Sequence, residues 1–540
     1  MDLDNKKKYT LREIADNFSL SVATLRNWVK EGLLTVDKDG DLPSSQLEAF
    51  KTLLALRMTS RANKQYKSAT PDGSVTPVAR LLEYSGMDLC QITALYQSSL
   101  SESYRNQEGI YYTPDHVVQD MMKQVVDVSD KTFLEPCCGG GAFVAEALRR
   151  GFRPENIYAY DTDPTAVELT RRRIFDMTGY RSDNVRCADF LQEAATLELR
   201  FDFIYTNPPW GKKMSVFLRK RYAEMYESGS SCDTASLVLA ASMRLLADGG
   251  EMGMLLPDSL FNIATFEDSR RLLLRRRMER VVDYGHAFPG LLAKACAVVL
   301  RQGDPTPATQ VACGSHGQVP VMRLQQGFVS NPKSIINYWV DESAARVISH
   351  LYTLPHLVLK DNADWALGVV TGNNAQHCHT EQGRGMVPIY RGKDITPQGI
   401  VPPQLFIDAH LQGCRQVAPM HLYKAPEKVV YRFISDRLVC CCDNQQRFFL
   451  NSANMFVLRS SFPLTHFQVS ELLNSRLVNW IFMSLYNTRK VLRTDLETLP
   501  LFACGFDSRS RLDQQAQLRS LNIIWNEDKQ AYQMADFTTA

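Results

Sequence analysis

The tetrapeptide Asn207-Pro208-Pro209-Trp210 closes an apolar, strand-like run, Phe201–Tyr205. Its residue types suit one kind of chemistry. An amine attached to a purine ring is a poor nucleophile, because its lone pair is delocalised into the ring. Two hydrogen-bond acceptors aimed at its two N–H bonds draw the nitrogen toward a tetrahedral form and turn the lone pair toward an electrophile. The Asn207 side-chain oxygen and the Pro208 carbonyl can supply those acceptors. Each proline fixes its own φ and stiffens the turn. Trp210 offers an aromatic face on which a base can stack. Placement then supplies most of the rate, and no strong general base is needed.

A ligand site is written upstream. Phe133-Leu134-Glu135-Pro136-Cys137-Cys138-Gly139-Gly140-Gly141-Ala142-Phe143 reads as a strand, a glycine turn and a helix start. Glycines there let the backbone approach a ligand, and the helix start offers free N–H groups. Asp161 ends the next apolar run, twenty residues after Gly141. That is the usual placement for an acid that binds ribose hydroxyls. Asp189-Phe190 follows Val185-Arg186-Cys187-Ala188 in the same manner. Acids after three successive strands suggest an adenosine ligand without phosphates, and no Gly-Lys-Ser/Thr loop is present to hold phosphates. A sulfonium cation tolerates such acidic neighbours. The plain alternative is a set of helix caps and turns.

In their order along the chain these motifs resemble the gamma-type adenine-N6 DNA methyltransferases, TaqI/Eco57I-like enzymes that use S-adenosylmethionine (SAM). The resemblance spans roughly Tyr104 to Leu501 and implies a Rossmann-like α/β catalytic sheet. It makes Gly109-Ile110-Tyr111-Tyr112-Thr113-Pro114 the opening SAM motif, with Tyr112, Thr113 and Pro114 at the cofactor and Thr113 at its methionine carboxylate. It assigns Glu135, Pro136, Cys137, Gly139 and Gly141 to the glycine motif, Asp161 and Thr162 to the ribose, and Asp189 and Phe190 to the adenine of SAM. Asn207, Pro208, Pro209 and Trp210 become the catalytic tetrapeptide, with Asn207 also bordering the cofactor. In His286-Ala287-Phe288-Pro289, Phe288 packs on the target base opposite Trp210. The family most often has Tyr where Trp210 stands, and a larger aromatic still stacks. The Cys-rich, triple-Gly turn is a variant. The N6 atom lies inside the stacked duplex, so the target adenine must be flipped out.

The same resemblance extends to a TaqI-like specificity domain. Its marks are Gly368 to Asn374, Pro388 to Ile395, Lys428 to Arg432 and Leu472 to Arg476. Asn373, Arg391, Lys393 and Arg432 can reach base edges or phosphates there. The expected partners are double-stranded DNA and a cognate restriction endonuclease, and no metal is required.

These residues need elements to hold them. Between Gly109 and about Arg301 short apolar strands alternate with helical patterns. Strands are predicted at Thr132–Leu134, Ile157–Tyr160, Phe201–Tyr205, Gly253–Leu256, Arg280–Tyr284 and Ala295–Leu300. Helices are predicted at Ala142–Arg150, Pro164–Thr178 and Thr234–Ala247. Such alternation argues for a mostly parallel sheet wrapped by helices, with the last two strands antiparallel. Thr10-Leu11-Arg12-Glu13 has capping-box spacing, so a helix starts there. Ser21 can cap a second helix that buries Val22, Leu25, Trp28 and Val29, and Gly32 suits its end. Leu11 to Leu34 resembles a MerR-type helix-turn-helix and would expose Arg26, Asn27 and Lys30 to DNA or another partner; a purely structural helix pair is the alternative. The expected organisation is residues 1–61 helix-turn-helix, 62–108 linker and helical subdomain, 109–305 catalytic domain, 306–505 α+β specificity domain and 506–540 a helical tail. A helix near Thr465–Tyr486 is expected in the specificity domain.

Composition sets outer limits. Of the 540 residues 45% are hydrophobic and 22% charged, the balance of a folded protein. No run of about 20 apolar residues and no signal-peptide core is found, so no membrane is expected and a cytoplasmic location is. The 13 cysteines include adjacent runs that are poor disulfide partners. A formal net charge of +2 does not announce a nucleic-acid binder, so clustering matters more. Lys212 and Lys213 begin a basic run that reaches Arg221, beside the tetrapeptide; solvated helix faces are the alternative. His377-Cys378-His379 lacks a partner pair at zinc spacing and reads as loop chemistry. Two other functions use overlapping features. Asn-Pro-Pro-aromatic motifs also serve enzymes that methylate protein glutamine or RNA, against which the long C-terminal region and the Thr113 motif argue. A DNA-binding regulator would rest on the N-terminal helices alone.

Overall fold

The computed structural model describes residues 8–17, 22, 25–26, 29, 34–47, 50, 89, 92–93, 96, 108–288 and 291–535. Several expectations fall outside the described residues: Ser21, Asn27, Trp28, Lys30 and Gly32, the linker 68–73, the helical pattern 78–82, most of 89–100, and Pro289. The chain forms two compact units. One is Met1–Leu256 with His286–Leu292; the other is Pro257–Gly285 with Ala293–Ala540.

In the first unit, α1 (Leu11–Asn17) begins at the expected capping box. The Thr10 N–H donates to the Glu13 carboxylate at 2.9 Å, and the Glu13 N–H donates to the Thr10 hydroxyl at 3.2 Å. Ile14 and Ala15 are buried with Leu25, Leu42 and Phe50 in one small core. Val22, Leu25, Arg26 and Val29 lie in helical backbone, and Arg26 is exposed.

The main α/β layer follows: α2 (Asp115–Met121), β1 (Phe133–Glu135), α3 (Ala142–Arg149), β2 (Ile157–Asp161), α4 (Pro164–Thr178), β3 (Val185–Cys187), β4 (Phe201–Thr206), α5 (Val216–Met225), α6 (Thr234–Leu245) and β5 (Leu246–Pro257). The strands are parallel and ordered β5-β4-β1-β2-β3. The chain runs outward from β1 to β3 and then returns to β4 on the other side of β1. Ligands of open α/β sheets bind at such a reversal, beyond the carboxyl ends of the strands. Glu135, Asp161 and Asn207 all stand at those ends.

Local signals explain the boundaries. Asp163 caps α4 by accepting from the Thr165 N–H at 2.9 Å, Pro164 fills its first position, and Gly179 ends it at φ 73°. The predicted helix Thr234–Ala247 stops two residues early. Leu246 turns extended (φ −74°, ψ 128°) because its backbone pairs with Phe201, and a bulge separates that pairing from Glu251 opposite Phe203. Helix α5 overlaps the basic run from Lys212 to Arg221, in keeping with the solvated helix face that was the alternative reading there. Gly253 is required where β4 and β5 touch: a Cβ there would lie 2.2 Å from the Tyr205 ring.

The second unit opens with strands β6 (Arg277–Gly285), β7 (Ala295–Arg301), β8 (Gln310–Ser315) and β9 (Val321–Leu324). The pair β6/β7 is antiparallel, as expected, and β8 is parallel to β6. After α7 (Glu342–Thr353) come β10 (Ala363–Leu367), β11 (Met386–Tyr390), β12 (Leu405–Asp408), β13 (Lys428–Arg432), β14 (Cys440–Asp443), β15 (Phe448–Phe449) and β16 (Ala453–Leu458). They form an antiparallel sheet, β10-β16-β13-β14, and a smaller one, β12-β11-β15. Strand alternation splits the cores: Val429, Tyr431 and Phe456 join one, Val430 and Met455 the other. Each such buried side chain contributes about 1.5–3 kcal/mol.

Two expectations change here. The single helix near Thr465–Tyr486 is two, α8 (His466–Asn474) and α9 (Arg476–Tyr486). Ser475 breaks it at φ −62°, ψ 153°, because its hydroxyl accepts from the Val478 N–H and caps a new helix. The tail is not simply helical. After α10 (Gln514–Ser520) it forms a hairpin, β17 (Ile523–Asn526) with β18 (Ala531–Met534). Tyr532 is buried there against Trp480 and Trp525, so alternating apolar positions outweigh helix propensity. No helix among the described residues is long and apolar enough to cross a membrane.

Candidate active site

Asn207 sits just past β4, where its side chain is oriented by one bond. Its Nδ2 donates to the Tyr111 carbonyl at 3.0 Å. A carbonyl can only accept, so the amide nitrogen must face Tyr111 and the amide oxygen must face away. That oxygen is buried and has no hydrogen-bond partner among the described residues. A buried acceptor left so costs about 1–3 kcal/mol, which suits a site kept for a donor on a ligand.

The rest of the tetrapeptide is held as firmly. The Trp210 Nε1–H donates to the Leu255 carbonyl on β5 at 3.2 Å. Gly109 lies flat against the Pro209–Trp210 peptide: a Cβ there would meet the Trp210 nitrogen at 2.7 Å and oxygen at 2.9 Å. Lys212 pairs with Glu108 at 3.2 Å, and its carbonyl accepts from the Thr234 hydroxyl at 3.2 Å. Phe288 is buried, with its ring 5.5 Å from Trp210 at 82° and 5.6 Å from Tyr111 at 51°. In this structure Phe288 turns its ring nearly perpendicular to Trp210.

At the ends of β1 and β2 the acids converge on the glycine turn. The Glu135 carboxylate is buried and accepts from the Val144 N–H at 3.0 Å; burial pushes its pKa well above the usual range. Asp161 accepts from the Gly139 N–H at 2.8 Å and from the Asp163 N–H at 2.9 Å. Burial, reinforced by the neighbouring Asp163 charge, raises its pKa to about 6. Asp189 accepts from the Leu191 N–H at 3.0 Å and faces the Tyr222 hydroxyl at 3.5 Å, while Phe190 packs on Tyr160. Tyr112 covers the turn, since a Cβ on Gly139 would lie 3.0 Å from its ring. A Cβ on Gly141 would lie 2.8 Å from the Thr170 hydroxyl. Thr113 and Pro136 are buried, Thr162 is exposed, and Pro114 precedes α2 as its cap. Burial also pushes the Cys137 thiol up.

Some members of this site carry no clear signal in the sequence. Thr93 stands where a Cβ on Gly140 would meet its methyl at 2.6 Å, and the Tyr96 hydroxyl donates to Asp163. The expected linker region therefore contributes to the cofactor end of the site. Tyr111 acts through its backbone carbonyl, which no residue type announces.

Two family models match the chain: N-6 DNA Methylase over residues 95–348, and the TaqI-like C-terminal specificity domain over residues 387–501. The Type II methyltransferase M.VspI of Vibrio sp. (strain 343) is 36% identical over 402 residues, 74% of this chain and 98% of that protein. The chain belongs to the N-6 adenine DNA methyltransferase family.

This methyltransferase acts on the exocyclic N6 amine of adenine in DNA. The Type II methyltransferase M.HincII of Haemophilus influenzae is a more distant relative, 25% identical over 196 residues, 35% of this chain and 36% of that one. In fold the methyltransferase is similar to the protein in a DrdV–DNA complex, with a TM-score of 0.53 at 12% identity over 91% of this chain and 69% of that chain. An α/β catalytic layer with a TaqI-like specificity domain is thus observed as expected.

The expected DNA contacts divide by what their side chains already do. Arg26, Lys213, Asn373 and Lys393 are exposed. Asn373 accepts from the Ala375 N–H at 3.2 Å as a helix cap. Arg391 is engaged by Asp394 and Gln404, and the Arg432 guanidinium donates to the Ile395 carbonyl at 2.7 and 3.0 Å. Those two arginines hold the Gly392–Ile395 turn that presents Lys393. Asn27 and Lys30 lie outside the described residues. Among the described residues no group of three His, Cys, Asp or Glu is placed to hold a metal, and the described cysteines are free thiols.

Proposed function

We propose that Asn207 and Pro208 accept the two hydrogens of a flipped adenine N6 amine, and that Trp210 provides its stacking face. The observation that carries this is the buried, unpartnered Asn207 oxygen, aimed by the Tyr111 carbonyl. A donor that meets this oxygen satisfies it. The second hydrogen goes to the Pro208 carbonyl, and the nitrogen's lone pair is then left pointing away from both. Preorganised acceptors of this sort need not reorganise during the reaction. A base stacked on Trp210 displaces Phe288 from its edge-on position.

The cofactor end fits SAM. The glycine turn leaves no room for side chains, Asp161 accepts from the Gly139 N–H, and it keeps spare acceptor capacity on both oxygens for ribose hydroxyls. Tyr112, Thr113, Pro114, Glu135, Pro136, Cys137, Gly139, Gly141, Asp161, Thr162, Asp189 and Phe190 would hold it. Bound there, SAM supplies an electrophilic methyl group. Lys213, Asn373 and Lys393 would meet the duplex, with Arg391 and Arg432 shaping the turn. The same reading divides the chain into a helix-turn-helix that carries Arg26 (1–61), a linker and helical subdomain (62–108), a catalytic domain (109–305), a specificity domain (306–505) and a C-terminal tail (506–540), with a cognate restriction endonuclease as partner.

The deciding experiment is long-read modification sequencing of DNA from cells that express the intact chain or Asn207→Ala. N6-methyladenine in one sequence context is expected with the intact chain alone. Loss of one preorganised contact of this type costs about 100- to 1000-fold in rate. Equal modification by Asn207→Ala would falsify the assignment.

A further inference from the structure

Helix α5 carries an exposed apolar pair at its first turn. Val216 is 58% exposed and Phe217 is 74% exposed, an unusual place for a large aromatic on a protein surface. Phe217 shares its helix face with Lys220 and Arg221, three and four residues on, and both are exposed. Lys213 is exposed just before the helix. An apolar tip ringed by cations complements a nucleic acid, which offers stacked bases inside a phosphate lattice.

The mount is rigid at both ends, and each end joins a part of the site. Before the helix, the Lys212 carbonyl is tied to the Thr234 hydroxyl, its ammonium pairs with Glu108, and Trp210 is fixed to Leu255. At the far end the Tyr222 hydroxyl reaches Asp189 at 3.5 Å and the Tyr226 hydroxyl donates to the Leu191 carbonyl at 2.5 Å. The Ser215 hydroxyl caps the helix by accepting from the Leu218 N–H at 3.3 Å. The tip is therefore held seven residues from Trp210 and cannot fold back without breaking these ties.

We propose that Val216 and Phe217 form a wedge that enters the base stack of duplex DNA beside the target adenine, while Lys213, Lys220 and Arg221 grip the flanking phosphates. The wedge offsets the stacking lost when the base leaves the helix, as inserted apolar side chains do in bent or opened duplexes. This rests on the flipping of the target base proposed above. Phe217 is a positioning residue and touches neither the cofactor nor the reacting nitrogen.

The test uses the full chain with S-adenosylhomocysteine and a duplex carrying 2-aminopurine at the methylated position. Binding by the unaltered protein is expected to raise the fluorescence as the base leaves the stack. Phe217→Ala is expected to weaken duplex binding about tenfold and to reduce the fluorescence rise at saturation, while Phe217→Leu restores much of both. On a duplex already abasic at the target, the deficit of Phe217→Ala is expected to shrink to about twofold, because less stacking has to be replaced. Lys220→Ala with Arg221→Ala is expected to flatten the salt dependence and leave the fluorescence at saturation intact. No fluorescence rise with the unaltered protein would refute base flipping itself. A normal rise with the unaltered protein, matched by Phe217→Ala, would refute the wedge alone. So would an equal loss on the intact and abasic duplexes, or a loss of self-association with DNA binding unchanged.

Discussion

At the scale of single residues, the ribose contact proposed for Asp161 would tie ligand binding to the charge its environment sets. Its carboxylate is desolvated beside Asp163, so its pKa rises to about 6. Ribose hydroxyls donate, and they bond best to the ionised form. Above pH 6 that form dominates in the free protein, and below pH 6 a proton must leave before the bond forms. The expected outcome is a SAM dissociation constant that is flat above about pH 7 and rises up to tenfold for each unit below the pKa. Titration calorimetry across pH 5–8 reads this directly. Asp161→Asn should bind weakly at every pH, and an unaltered slope in that variant would assign the proton to another group. Asn207 teaches a related lesson. Its oxygen is left unpartnered because a neighbouring carbonyl has claimed its nitrogen, so the role proposed for it would belong to the pair and not to the asparagine alone.

At the scale of elements, the sheet order determines who meets whom. The reversal between β1 and β4 brings the glycine turn and the tetrapeptide to one end of the layer, though Gly139 and Asn207 are 68 residues apart. The segment before α2 then threads between them, placing Tyr112 on the glycines and Gly109 on Trp210. Gly109 has φ 69° and no room for a Cβ, so Gly109→Ala must push the tetrapeptide backbone away. A displacement near 1 Å at reacting atoms costs about 100-fold in rate. The expected result is a kcat lower by about that factor with SAM affinity nearly unchanged, measured by tritium transfer and equilibrium binding. A normal kcat would show that the loop yields without disturbing Asn207.

At the scale of the whole molecule, the chain divides into a unit that holds the chemistry and a unit that holds the TaqI-like specificity domain. The second unit rests on buried polar pairs as well as apolar cores. Lys428 and Asp443 are both fully buried and meet at 2.7 Å, and Arg447 joins the same carboxylate at 2.7 Å. The described N-terminal residues have a small core of their own around Ile14 and Leu25. Removal of residues 1–61 is therefore expected to leave methylation of duplex DNA within about twofold and to abolish any binding to promoter DNA, read by modification sequencing and by gel shift. A matching loss of both activities would tie these helices to catalysis.

Chemistry and element type could be read along the chain because both are local. Helix α4 was predicted to its last residue, since Asp163, Pro164 and Gly179 mark its ends with cap, first-turn and C-cap signals. The places of the tetrapeptide and the three acids at or just past strand ends were legible because an apolar run precedes each. What the sequence could not show depends on atoms brought together from afar. The carbonyl of Tyr111 that aims Asn207, the closure of Gly109 on Trp210, and Tyr96 on Asp163 are contacts of backbone shape with no type signature. The break at Ser475 and the hairpin of the tail, seated through Ile523 and Tyr532, were decided by tertiary packing, which outweighs a continuous helical pattern. The edge-on setting of Phe288 was decided the same way: an aromatic residue type promises a stacking face, and only its packed neighbours set the plane in which the ring lies.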